Sequence, residues 1–325
     1  MRKIICAFAL GALLFTACKK SNNDVVENDP DQLPEVAVTS RHCAAHEVLQ
    51  QQLIDDPSLQ QRMNEIEAFT NRFIENPQTN VLQTDGSMLI PVVVNVLYRT
   101  AAENISAAQI QSQIDVLNED FAATNADYNL TSTYNSVKSG DTKIKFVLDQ
   151  VVRKQTNKTS WSTNDAMKKN NRGGISPTTP TTKLNLWVCN LGGGILGYAQ
   201  FPGGSSATDG VVCDNNAFGR VGTAAAPFNK GRTATHEVGH WLNLRHIWGD
   251  ATCGNDQVGD TPLHNTANYG CPAAGHKSTC SGTPVEMTMN YMDYTDDACM
   301  YMFSAGQKTR MQATYAVGGP RASFR

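Results

Sequence analysis

The sequence has little excess of charge in either sign. Lys and Arg number 27 against 30 Asp and Glu, a formal charge of −3 over 325 residues, and no long run of like charge occurs. That balance speaks against nucleic acid as a partner, since phosphate binding needs clustered cations. Aromatic residues are sparse, at 7%. No CxxC pair occurs, which argues against a cysteine zinc finger, and there is no internal repeat. No apolar run reaches the roughly 18 residues that a membrane helix requires. What is present is 40% hydrophobic against 18% charged residues, with 25 Gly. That is enough for a large core with many loops, and too apolar for disorder. A near-neutral surface leaves function to be read from a local site.

Arg2 and Lys3 open the chain ahead of an apolar run over residues 4–15, the pattern of a secretory signal. Leu14-Phe15-Thr16-Ala17-Cys18 resembles a bacterial lipoprotein processing site, so residues 1–17 read as a signal peptide and Cys18 as a lipid anchor. The other reading is an ordinary signal peptidase, with Cys18 incidental. Residues 18–40, rich in Asn, Asp and Pro, read as a solvated tether. The protein is expected to be exported, either as a cell-envelope lipoprotein or secreted.

Export makes the nine cysteines informative. Cys6 lies in the signal, Cys18 at the anchor and Cys43 alone in the N-terminal third. Cys189, Cys213, Cys253, Cys271, Cys280 and Cys299 form an even set in the C-terminal half, where an oxidising compartment favours disulfides. Counting does not choose the pairs.

Asp55-Asp56-Pro57 marks the start of a helix running to about residue 74, and residues 76–87 read as a linker. The β-branched run over residues 88–99 predicts a buried strand. Ile110, Ile114, Leu117 and Phe121 share one face of a helix over residues 106–123, capped by Ser106. Strands are expected at 143–152, 183–191 and 210–213, with a Gly-rich loop between the last two, and a helix at 233–244. Beyond Gly249 the periodicity fades.

Chemistry concentrates in residues 236–246, HEVGHWLNLRH. His236 and His240, four apart, project from one helix face and can share a metal. Glu237 sits beside that metal without ligating it, able to take a proton from bound water. The helix closes near Asn243, and His246 swings back as third ligand. Three neutral nitrogens leave one position open to water, the arrangement of a catalytic zinc. The bland reading is a chance HExxH on an exposed helix, but three of only seven histidines fall at this spacing.

This segment resembles the extended zinc motif HExxHxxGxxH of the metzincin metallopeptidases. LNLWVCNLGGGILGYAQFPG (184–203), DGVVC (209–213), LRHIWGD (244–250) and NYMDYTDD (290–297) are similar to segments of the pappalysin family, including its ulilysin-like and cytophagalysin-like bacterial members. The resemblance spans residues 41–315. One departure is Asn243, where metzincins usually have Gly. The turn there needs a left-handed backbone, which Asn tolerates best after Gly.

The resemblance implies an α+β metzincin fold: a mixed twisted sheet, a backing helix and an active-site helix, over an irregular, disulfide-bonded C-terminal subdomain. It implies a zinc-dependent endopeptidase of proteins, with Glu237 as general base toward a zinc-bound water. Met292 matches the Met-turn beneath the ligands. Tyr294 matches a tyrosine whose hydroxyl stabilises the oxyanion, a buried structural tyrosine being the other reading. An extended substrate would pair with a sheet edge around residues 192–199. Cys43 corresponds to a propeptide cysteine that fills the open zinc position and keeps a zymogen inactive; a free or intermolecularly paired Cys is the rival. Residues 41–87 then form propeptide and linker, cleaved at 76–87 or within the propeptide helix, and residues 88–325 the catalytic domain.

Family spacing pairs Cys253 with Cys280 and Cys271 with Cys299. Cys189 and Cys213 would join if their strands are neighbours and their side chains face suitably. Relatives bind calcium in the loop over residues 250–262, where Asp256 and Thr261 are the candidate ligands, although such loops are commonly plain turns. Relatives that cut at basic residues carry an Asp where Ala298 stands, so a strong Arg or Lys preference is not expected unless the neighbouring Asp297, whose side chain need not point the same way, substitutes for it. A monomer acting on protein or peptide substrates follows. Two other classes stay open. One is a non-catalytic surface-binding lipoprotein retaining a structural metal site, for which Glu237 would be superfluous; the other is a zinc hydrolase of a non-peptide bond.

Overall fold

The computed structural model describes residues 29–34, 36, 38–76 and 87–324. The signal segment, Cys18 and linker residues 77–86 lie outside them. In chain order the α-helices and strands are α1 (Ala45–Asp55), α2 (Ser58–Glu75), β1 (Met88–Tyr98), α3 (Ala107–Phe121), β2 (Ile144–Gln155), β3 (Leu184–Cys189), β4 (Gly197–Ala199), β5 (Val211–Asp214), α4 (Arg232–Trp241) and α5 (Ala305–Tyr315). The strands form one mixed sheet in the order β2-β1-β3-β5-β4. All neighbours are parallel except β4, which runs antiparallel to β5 at the edge. This is the mixed-sheet α+β arrangement that the resemblance implies.

The β-branched run of β1 fits its place inside a parallel sheet, where both faces are covered. Val92, Val93, Val94 and Val96 are all fully buried. α3 lays Ile110, Ile114, Leu117 and Phe121 into the core and packs on β2, with Ser106 Oγ accepting from the Gln109 N–H at 3.1 Å. α4 packs against α3, β4 and β5, and all ten of its residues are buried. Its first residue, Arg232, is neutralised by Asp127 at 2.6 Å, so the helix starts deep inside the molecule without an unpaired charge. Asn243 stops it with a φ of 70°, and the Leu244 N–H closes onto the Gly239 carbonyl at 2.9 Å.

Several sequence expectations shift. The helix expected to open at Asp55-Asp56-Pro57 and run to about residue 74 is α2, with Pro57 at its N-cap, where a missing N–H costs nothing. α1 was missed because nearly half of it is Gln, Glu and Asp and it buries only Ala45, Val48 and Leu49. α5 was missed as well. It packs on α2 and opens with a reciprocal capping box of Ser304 and Gln307. Residues 29–34, read as part of a solvated tether, dock onto the body instead, with Asp31 buried in an ion-paired site.

Cys253 is bonded to Cys280 and Cys271 to Cys299. The third pair is corrected: Cys189 and Cys213 are buried free thiols. Their strands are neighbours, but Cys213 sits opposite Val188 and Cys189 opposite Asp214. Residues one step out of register point to opposite faces of a sheet, so the two sulfurs are separated by the sheet itself.

Candidate metal centre

α4 carries His236 and His240 one turn apart, and the left-handed Asn243 folds the chain back so that His246 reaches the same point. The Nε2 of His240 lies 3.1 Å from that of His236 and 3.1 Å from that of His246. Each Nδ1 faces an acceptor: the Tyr291 carbonyl at 2.6 Å, the Leu244 carbonyl at 2.8 Å and the Asp250 carboxylate. Those acceptors put the proton on Nδ1 and leave three Nε2 lone pairs aimed at one another. Lone pairs cannot satisfy one another, whereas a cation between them satisfies all three. Nitrogens bound tetrahedrally at about 2.0–2.1 Å stand about 3.3–3.4 Å apart, which suits zinc. Burial, followed by the neighbouring imidazoles, holds His236 well below its usual range and His240 at about 3. Both are therefore neutral ligands at neutral pH.

Two glycines make room for the groups around this point. A Cβ at Gly197 would stand 2.9 Å from Cγ and 3.0 Å from Oε1 of Glu237, so only glycine lets the carboxylate lie against β4. A Cβ at Gly239 would stand 2.5 Å from Sδ of Met292. The sulfur packs directly on the α4 backbone between the two histidines, an apolar floor that holds their spacing. Burial pushes Glu237 up to about 8, against the lowering influence of the Cys43 thiol and Arg41.

Residues 42–44 lie along the edge strand. The Leu196 N–H donates to the His42 carbonyl at 2.9 Å and the Ala44 N–H to the Gly197 carbonyl at 3.0 Å, with Cys43 bridged in parallel to Gly197. Sγ of Cys43 and one nitrogen of each histidine all lie within 4.8 Å of one another. The thiol donates to Oε2 of Glu237 at 3.3 Å, and burial, with the Glu237 charge next, pushes it well above its ordinary pKa. The Tyr294 hydroxyl donates to the Cys43 carbonyl at 2.8 Å and accepts from the Cys43 N–H at 3.3 Å.

Just upstream, Arg41 enters a closed pocket. Its guanidinium donates to the Thr295 carbonyl at 3.1 Å, to Thr233 Oγ1 at 3.1 Å and to Asp297 Oδ1 at 2.6 Å, beneath the Phe228 ring. The second Asp297 oxygen accepts from the N–H groups of Lys230 at 2.7 Å and Arg232 at 3.3 Å, at the start of α4.

His236, Glu237, His240, His246, Met292, Tyr294 and Cys43 thus meet at one point, beside the edge strand in residues 192–199. Ala298 is exposed, and the carboxylate that faces a basic side chain is Asp297, one residue earlier. Asp256 and Thr261 do meet, but as a hydrogen-bonded pair: Thr261 Oγ1 lies 3.0 and 2.9 Å from the two carboxylate oxygens. Asp250 was missed, although an acid four residues after the third histidine is a readable signal for a carboxylate that orients it. Arg41, two residues before Cys43, was equally legible and unused.

The family model described as Pregnancy-associated plasma protein-A matches residues 182–316. An extracellular metalloprotease of Verticillium alfalfae is 34% identical over 238 residues, covering 69% of this chain and 78% of its own. A mutant of Tannerella forsythia promirolysin is 40% identical with a TM-score of 0.77, covering 87% of this chain and 97% of its own. Mature mirolysin, solved with a cleaved peptide, is 44% identical with a TM-score of 0.71, covering 73% and 95%.

A carboxyl whose pKa is raised from 4.5 to about 8 on folding supports the fold fully below 4.5, and that support is lost as pH rises toward 8. In metal-free full-length chain, the thermal midpoint of Glu237→Gln relative to the unsubstituted protein is therefore expected to climb between pH 5 and pH 8. A difference that does not change with pH contradicts the burial argument.

Proposed function

The chain belongs to the pappalysin family of zinc metallopeptidases and is a zinc metalloendopeptidase; from that premise we propose that it is an exported enzyme held latent by Cys43, with Glu237 as its proton-transfer group. The observation that carries this reading is the meeting of one thiol with three Nε2 lone pairs beside a buried carboxylate. Zinc held by the three imidazoles supplies a Lewis acid that polarises a peptide carbonyl and brings the pKa of a water toward about 7.

The rest falls to the chain. Glu237 takes a proton from the attacking water and returns it to the leaving amine. Tyr294 already donates to one peptide carbonyl, that of Cys43, and in the free cleft is placed to donate to a substrate oxyanion. Leu196 N–H and Gly197 C=O, now paired with residues 42–44, offer an extended substrate the same main-chain bonds. While the latch is seated, the thiol holds the place of water and the backbone around it holds the place of substrate. Both reactants are excluded together.

Residues 41–87 act in this reading as propeptide and linker and residues 88–325 as the catalytic domain, with the docked residues 29–34 extending the propeptide upstream. The greater coverage by promirolysin, 87% of this chain against 73% for mature mirolysin, supports a zymogen. Relatives named extracellular support export, with Cys18 as lipid anchor belonging to the same proposal. A calcium ion at Asp256 and Thr261, as the resemblance implies, would replace the hydrogen bonds between them, and this mechanism does not need it. The Arg41 pocket also replaces the expectation drawn from Ala298. A cavity that seats a guanidinium on Asp297, two residues from the latch, fits a substrate with a basic side chain beside the scissile bond.

Glu237→Ala is expected to lower casein digestion by processed protein about 10²–10⁴-fold with zinc content unchanged; equal digestion would contradict the mechanism. Asp297→Asn keeps acceptors for Lys230 and Arg232 while removing the charge. Peptide profiling should show cleavage next to Arg falling about tenfold or more and cleavage next to Ala unchanged, and an Arg preference that survives the substitution would rule out this pocket.

A further inference from the structure

Away from the metal centre the structure holds a second carboxylate in a built site. Asp31 is 4% exposed. One of its oxygens accepts from Asn164 Nδ2 at 2.8 Å and from Arg172 Nη2; the other accepts from Arg172 Nε at 3.1 Å and Lys158 Nζ at 3.2 Å. The backbone is gripped too, with the Ser162 N–H donating to the Asp31 carbonyl at 2.7 Å. Trp161, itself buried, lies beneath the Lys158 ammonium. Burial works against the ionised carboxyl, but the Asn164 and Lys158 hydrogen bonds and the two cations outweigh it, and its pKa stays below the ordinary value.

Two features tie this site to the segment ahead of Cys43 and to the cleft. Among the described residues, Lys158 and Arg172 form ion pairs only with Asp29 and Asp31, both in the segment ahead of the latch. The site also lies in line with the cleft. From Asp31 the chain continues with the Leu33 carbonyl accepting from Ser160 Oγ and the Pro34 carbonyl accepting from the Gly193 N–H at 2.7 Å. Leu33 packs so closely on Gly192 that a Cβ there would stand 2.5 Å from its own Cβ. The chain next touches this edge at Leu196 and Gly197, beside Cys43.

We propose that Lys158, Arg172, Asn164 and the Ser162 N–H form a distal subsite for an acidic side chain of a polypeptide substrate, filled by Asp31 in the latent chain and vacated when the N-terminal segment is removed. The proposal rests on the zymogen reading above. The Arg172 fork meets both carboxylate oxygens, which is the geometry that selects a carboxylate over a neutral amide. Loss of Asp29 and Asp31 leaves two cations without a counter-charge beside the lane an extended substrate would follow. Lys158 is largely shielded from solvent, so salt screens its part of the attraction less than that of a surface pair.

The test uses full-length chain that has matured by processing, assayed with fluorogenic peptides sharing one cleavage sequence. Each carries a single Asp, or Asn, at successive positions away from the scissile bond on either side. One distal position is expected at which Asp raises kcat/KM about tenfold over Asn. Lys158→Gln combined with Arg172→Gln should erase that gain, and Arg172→Gln alone should reduce it. Both variants should cleave a short peptide that ends before the subsite at the unsubstituted rate. A flat Asp scan, or a gain that persists in the double variant, overturns the subsite while leaving the peptidase reading intact. If the unsubstituted chain fails to cleave even the short peptide, the zymogen reading falls and the subsite with it.

Discussion

Three imidazole lone pairs pointed at a common centre are the constraint on which the rest of the structure depends. Each ring is fixed by a hydrogen bond from its far nitrogen, two to backbone carbonyls and one to Asp250. The acceptors belong to different parts of the chain: Tyr291 to the turn before Met292, Leu244 to the end of α4 and Asp250 to the loop beyond it. The metal centre therefore couples the upper sheet-and-helix part to the irregular lower part. Disulfides at Cys253–Cys280 and Cys271–Cys299 brace the segments around those acceptors, where there is little regular structure to hold them. Placing neutral nitrogens at this spacing without a cation costs free energy, and the buried α4 with its Met292 floor is what holds them there.

The proposed latency uses the same constraint from the other side. A thiol at the fourth corner, a backbone paired to the edge strand and an arginine on a buried aspartate are three bonds of different kind within residues 41–44. No one of them has to be strong by itself, because each holds the others in position. The Arg41–Asp297 pair is almost fully shielded from solvent. Breaking such a pair by withdrawing one partner leaves a buried charge, which is costly unless a new cation replaces it. A pocket of that kind favours an occupied state, which is why the proposed function has a basic substrate side chain take the place of Arg41.

Much of the centre was legible in the sequence because its spacing is local. His240 stands four positions after His236 and His246 six positions after His240, and Asn243 announced the left-handed turn that its φ of 70° displays. The strand β1 was equally plain, since its buried place in a parallel sheet is written as a β-branched run. What escaped were features set by tertiary partners. α1 and α5 carry weak apolar patterns and are held by packing and caps; Asp31 sits in a stretch whose composition reads as solvated until Arg172 and Lys158, more than a hundred residues away, are brought to it. The Cys189 and Cys213 pairing failed on a register offset of one residue, which no count of cysteines contains. Asp297 rather than Ala298 meets Arg41 for a similar reason, because the two sit in a turn closed by the Cys299 N–H on the Asp296 carbonyl at 2.9 Å, and only the partner brought by the fold shows which side chain is turned inward.

The most direct measurement is X-ray absorption at the zinc edge on the full-length chain before and after processing. Three nitrogen donors and one sulfur are expected in the latent protein, with the sulfur replaced by an oxygen donor once activity emerges. A latent chain without zinc–sulfur scattering, or an active enzyme that keeps it, would contradict the account.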